Sequence, residues 1–187
     1  MFKIQEKFIL WRINQGEIKA FSEIYNYYAP KIYKFIYFKV SSLEDAEDLT
    51  SQTFFKLLKY LTNQKKINNL QALLYNIARN LVIDFYRQKK SISSFDDKIK
   101  DQLADEKNSI ENLNLTIDLT IEIKNIKKVI KKLNNDEQEI IILRFVNDLS
   151  IREIAETLGK SQINTKVFLH RALKKLKTLI NKKPLEN

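Results

Sequence analysis

Cysteine is absent from this chain. Disulfides and thiolate metal sites are therefore excluded. His170 is the single histidine, so neither a His-based metal centre nor a paired-His acid–base system can form within one chain. Glycine and proline number two each among 187 residues. Gly16 and Gly159 stand far apart, and no Gly-rich phosphate loop exists. Strand signals bounded by Gly turns are missing while helical periodicity recurs, so the chain reads as all-α. No apolar run approaches the ~20 residues of a membrane span. The opening residues, Met1 to Trp11, mix charges into a short apolar stretch and lack a signal peptide's apolar core and cleavage site. The expectation is a cytoplasmic protein that is not an enzyme and has no metal, cofactor or membrane partner.

What is present is charge and core. Hydrophobic residues make 44% of the chain and charged ones 30%. Lys and Arg total 33 against 23 Asp and Glu, for a net charge of +10. That sign favours a polyanion, and nucleic acid comes first. The charge falls in blocks: net +7 over residues 1–90, −3 over 91–117 and +6 over 118–187. Two small basic helical domains, 1–90 and 118–187, are thus expected around an acidic segment. Residues 91–117 are thin in apolar content and read as a flexible linker with at most a short helical piece.

The C-terminal domain carries the sharpest local signal. Ser150 and Glu153 form a capping box that marks a helix start. Ile151, Ile154, Ala155 and Leu158 share one face. Gly159 can take the left-handed conformation that ends a helix, and Ser161 can cap the next at once. On that second helix Thr165, Leu169, Ala172 and Leu176 make the inner stripe. Ile163, Lys166, Val167, His170, Arg171 and Lys174 lie opposite. A capped helix, a Gly turn and a second helix with a basic outer face make a helix-turn-helix. An ordinary helical hairpin shares the pattern, without needing the basic face. Two helices precede it: Leu119 to Leu133, then one capped by Asn135 with Gln138 three residues on, running to Asn147.

In the N-terminal domain, Glu17 to Tyr28 and Lys31 to Val40 read as helical, with Pro30 marking a bend or restart. Ser42-x-x-Asp45 starts a helix whose inner stripe is Leu43, Ala46, Thr50, Phe54, Leu57 and Leu61. Glu44, Asp45, Glu47 and Asp48 crowd its first turns. They complement the helix dipole, yet they would repel DNA and equally suit a protein partner. A polar, basic loop from Asn63 to Asn69 leads to a long helix with Leu70, Leu73, Leu74, Ile77, Ala78, Leu81 and Phe85 inside. Arg79, Asn80, Tyr86 and Arg87 give it a mixed aromatic–basic outer surface able to hold a DNA backbone or a stacked base.

These residues resemble RNA polymerase sigma factors of the extracytoplasmic-function (ECF) type at both ends of the chain. The matching stretches are Asp45-Ala46-Glu47-Asp48-Leu49-Thr50-x-x-x-Phe54, Ile77-Ala78-Arg79-Asn80-Leu81-x-x-Asp84-Phe85-Tyr86-Arg87, and Leu149-Ser150-x-x-Glu153-Ile154-Ala155 followed by Lys166 and His170-Arg171-Ala172. The resemblance implies core-polymerase binding by Asp45, Glu47, Asp48, Leu49 and Phe54. It implies minus-ten contacts by Arg79, Asn80, Asp84, Tyr86 and Arg87. It implies minus-thirty-five contacts by Ser161, Asn164, Lys166, Val167, His170, Arg171 and Lys174. Expected partners are core RNA polymerase, double-stranded promoter DNA and its melted non-template strand, with an anti-sigma factor left open. The implied function is promoter recognition, strand opening and transcription initiation. Extended, the linker reaches about 90 Å, more than the about 58 Å between elements ~17 bp apart. Departures from the family pattern are Leu73 in place of tryptophan, Phe168 in place of arginine and Thr165 in place of valine. Two other readings stay open at this point: a helix-turn-helix regulator binding operator DNA without polymerase, and a helical adaptor binding only protein.

Overall fold

A computed structural model describes residues 2–40, 42–63, 67–93 and 117–181. The expected linker therefore lies, from 94 to 116, outside the described residues, as do Gln64 to Lys66 of the polar loop. Among the described residues there is no strand, and no helix is long and apolar enough to cross a membrane. The helices divide between two compact units.

The first unit holds α1 (Phe2–Asn14), a 3-10 turn (Ile18–Ala20), α2 (Phe21–Lys39), α3 (Leu43–Thr62) and α4 (Leu70–Ser93). Its core is the inner stripes of α2, α3 and α4, with Ile24, Ile32, Phe35, Ile36, Leu57, Leu70 and Leu74 essentially sealed from solvent. Pro30 neither ends nor restarts a helix: α2 runs straight through it. Proline lacks the N–H that would reach the Asn26 carbonyl. Both residues lie on the exposed face, where water can satisfy that oxygen, while Tyr28 and Ile32 anchor the buried side. Ser42 caps α3 as expected, its Oγ accepting from the Asp45 N–H at 3.0 Å. Tyr75 is buried too, its ring edge-on to Phe35. The helix α1 joins the unit through Ile9, Ile13 and a 2.8 Å hydrogen bond from the Tyr28 hydroxyl to Glu6.

The second unit holds α5 (Ile117–Ile130), α6 (Asn135–Ile141), α7 (Ile151–Leu158) and α8 (Gln162–Asn181). The cap of α6 sits one residue earlier than the sequence suggests. Asn134 accepts from the Glu137 N–H at 2.8 Å, and Glu137 accepts from the Asn134 N–H at 3.0 Å. A carboxylate is the stronger acceptor at a helix N-terminus, and Gln138 is diverted to the Leu133 carbonyl at 2.9 Å. Nor does α6 reach Asn147 as an α-helix. It widens into a π turn over Ile142–Val146, which changes the angular step per residue and turns Phe145 out to solvent. Ile126 of α5 is exposed.

Candidate polymerase and promoter interfaces

The acidic cluster lies where helix periodicity puts it. Glu44, Glu47 and Asp48 are exposed on the first turns of α3, and Asp48 accepts a 2.8 Å hydrogen bond from Gln52 one turn on. Asp45 is half-buried, 4.0 Å from Lys89 of α4, so it also serves the unit's own cohesion. Glu47 lies beside Tyr33 of α2, whose hydroxyl is pushed up to about 12, chiefly by burial and then by the Glu47 charge. Two residues expected at this face are not on it. Leu49 and Phe54 are buried. Phe54 faces inward, where Tyr25 and Phe21 meet its ring at 4.8 and 6.4 Å between centroids. Their place in the stripe sets the rotation of α3 and so aims the acids outward. Its neighbour Phe55 is exposed instead, with the Lys59 ammonium 5.0 Å from its ring. The doublet Phe54-Phe55 signalled this, since successive helical residues cannot share a face.

On α4, Asn80, Asp84 and Arg87 are exposed and Arg79 is half-buried. Asp84 and Arg87 form a loose ion pair at 3.9 Å. Tyr86 is exposed at its ring, but its hydroxyl donates at 2.7 Å to the Lys39 carbonyl in the last turn of α2. It satisfies one of the carbonyls that a helix end leaves unpaired. Asn69, at the end of the polar loop, accepts from the Ala72 N–H at 2.9 Å and so caps α4. From sequence alone that side chain belongs to the loop.

The helix-turn-helix forms as its signals require. Ser150 and Glu153 close a full capping box. Gly159 takes φ 63°, ψ 33°, the left-handed region, and the Lys160 N–H bonds the Ala155 carbonyl at 2.9 Å. Ser161 Oγ accepts from the Asn164 N–H at 3.2 Å and starts α8. Thr165, Leu169 and Ala172 are buried, while Leu176 is half-buried. Ser161, Asn164, Lys166, Val167, His170, Arg171 and Lys174 are all exposed. Phe168 is half-buried and Leu73 likewise, consistent with packing at both departures. Thr165 fits its sealed site because its hydroxyl donates back to the Ser161 carbonyl at 2.9 Å.

Comparison with known proteins bears on these two units. Residues 24–92 match the family Sigma-70 region 2, and residues 123–176 match Sigma-70, region 4. The RNA polymerase sigma factor SigZ of Bacillus subtilis is 30% identical over 146 residues, covering 78% of each protein. The ECF RNA polymerase sigma factor BldN of Streptomyces coelicolor is 30% identical over 175 residues, covering 90% of this chain and 63% of that protein. This chain is an ECF-type member of the sigma-70 family. The helices of its region 2 match are thus α2 to α4, with α1 lying ahead of it, and its region 4 match spans most of α5 to α8. A similar fold is seen in the sigma factor RpoE of Bartonella quintana, solved with the anti-sigma factor NepR. That chain is 24% identical, with a TM-score of 0.67 and coverage of 89% of this chain and 99% of that one.

Proposed function

We propose that this sigma factor docks on core RNA polymerase through Glu44, Glu47 and Asp48, with Asp45 at the edge of the patch. Leu49 and Phe54 hold that patch in position from the core. The observation that carries the reading is an exposed acidic face on a helix in an otherwise basic unit, which would repel DNA and attract a basic protein surface. Arg79, Asn80, Asp84, Tyr86 and Arg87 of α4 form the minus-ten surface, where arginine suits phosphates and an aromatic or amide takes an unstacked base. The outer face of α8 enters the minus-thirty-five major groove, with Lys166, Arg171 and Lys174 on phosphates or base edges. Residues 1–90 and 118–187 are the two domains, and acidic residues 91–117 follow surfaces of polymerase shaped for nucleic acid. Polymerase, not this chain, performs the chemistry, and the site of action is the cytoplasm. An anti-sigma protein is a further proposed partner, by analogy with the NepR-bound relative.

Co-purification with bacterial core polymerase, followed by run-off transcription, tests the reading. Glu47→Arg with Asp48→Arg should abolish co-purification and leave the helical content unchanged, since neither side chain is in the core. Asp45 is left intact because reversing it would also set two cations against each other at Lys89. Wild-type yield of the complex from the reversed protein would remove the acidic face from polymerase docking.

A further inference from the structure

We propose that Ile163 and Val167 read thymine C5-methyl groups in the major groove, so that apolar contact helps set the upstream promoter preference of this sigma factor. The proposal rests on α8 entering the minus-thirty-five groove and adds the chemistry by which it discriminates bases.

Ile163 is 75% exposed and Val167 47%. They are four residues apart and therefore one above the other on the same helical face. Thr165, Leu169 and Ala172 fix the rotation of α8 by burial, which forces this pair outward at the second and sixth positions of the helix. The Ser161 cap fixes the first turn, so neither residue sits on a frayed end. Around the pair the exposed residues are Lys160, Lys166, His170, Arg171 and Lys174, with the neutral Ser161, Gln162 and Asn164 in the first turn. A cationic surface meant only for phosphates gains nothing from two large aliphatic groups at its tip. The same surface lowered into a groove gains if the aliphatic groups meet apolar matter there while the cations reach the flanking backbones. In the major groove that apolar matter is the C5-methyl of thymine, which no other unmodified base carries. Both residues are β-branched, and in a helix such side chains hold one dominant χ1 rotamer. They approach the base pre-ordered, which suits a contact whose value depends on fit. Scattered exposed aliphatics are ordinary on protein surfaces. Two in register at the leading end of a recognition helix, with Lys160, Lys166, Arg171 and Lys174 exposed along the same helix, are not scattered.

The test uses the full-length chain reconstituted with bacterial core polymerase. Promoter fragments with a randomised upstream element are prepared in two libraries, one with thymidine and one with deoxyuridine throughout, and bound fragments are sequenced. Deoxyuridine keeps every groove hydrogen-bonding group of thymidine and lacks only the methyl. Wild type should enrich T at one or two positions of the thymidine library, by about fourfold for each methyl buried, and lose that enrichment in the deoxyuridine library. Ile163→Ala or Val167→Ala should erase T preference at one position each, without altering the rest of the element. Ile163→Gln should move its position from T towards A, because glutamine pairs with the adenine edge. Equal enrichment in the two libraries, or T preference that survives both alanine variants, overturns the proposal. Loss of co-purification with core polymerase in the alanine variants also overturns it, by assigning the pair to a protein contact. Failure of wild type to select any upstream sequence would instead sink the minus-thirty-five assignment of α8 itself, and this proposal with it.

Discussion

Tyr86 combines two roles in one side chain. Its hydroxyl closes the end of α2 at the Lys39 carbonyl, while its ring remains exposed on α4. Removing the hydroxyl and keeping the ring separates the roles. Tyr86→Phe should cost about 0.5–1 kcal/mol of stability, the net value of an exposed hydrogen bond, and leave promoter opening intact. Arg87, exposed and tied only loosely to Asp84 at 3.9 Å, has no such structural duty. Arg87→Ala should leave thermal stability unchanged and reduce transcription strongly from a duplex promoter. A promoter carrying a pre-melted bubble should recover part of that loss. An equal loss on both templates would mean that Arg87 supplies general affinity and not strand capture. The outward set on α4 was readable from spacing alone. The Tyr86–Lys39 contact was not, because it joins residues 47 apart in the chain.

At the scale of elements, caps decide where helices begin, and one of them is tied to a distant helix. Glu137 closes the α6 capping box and also accepts from Lys175 of α8 at 2.8 Å. The Lys175 hydrogen bond, helped by the Asn134 N–H and the Lys175 charge against partial burial, holds the Glu137 carboxyl below the usual carboxylate range. A carboxyl lowered in the folded state contributes stability that is fully present above its unfolded value, about 4.3 for glutamate. That stability is lost as the pH falls through the lowered folded value. Glu137→Gln should therefore melt earlier than wild type at neutral pH, and the difference should narrow under acid. Thermal melts of both proteins across that range decide it; a difference independent of pH would mean that Glu137 acts through the cap geometry alone. Sequence placed this cap at Asn135 because Asn134 and Asn135 are both good capping residues with an acid or amide three positions on. The Glu137 carboxylate, held from α8 by Lys175, favours Asn134.

For the whole molecule, the balance of charge sets the behaviour. Basic units around an acidic segment should give a protein whose promoter affinity falls steeply with salt. Each phosphate contact on B-DNA releases about 0.9 of a counterion. Lys166→Ala and Arg171→Ala should be distinguishable on that basis by footprinting the polymerase complex over a range of salt. A side chain on phosphate should flatten the slope by about 0.9 and weaken all sequences alike. A side chain on a base edge should leave the slope nearly unchanged and relax one position of the element, at about 1–3 kcal/mol. No effect from either substitution would move the recognition surface off α8.

Sequence by itself determined the all-α class, the division of charge, the acidic face of α3 and the whole helix-turn-helix. These rest on interactions within a few residues: helical period, the Ser42, Ser150 and Ser161 caps, and the left-handed Gly159. Tertiary structure alone decided the unbroken passage of α2 through Pro30, the widened turn that exposes Phe145, and the burial of Leu49. It also decided which of the acids is tied back to Lys89. Each of these depends on which face of a helix meets another helix. A local pattern states that a residue is apolar or charged; the neighbour packed against it decides whether that residue supports a surface or forms one.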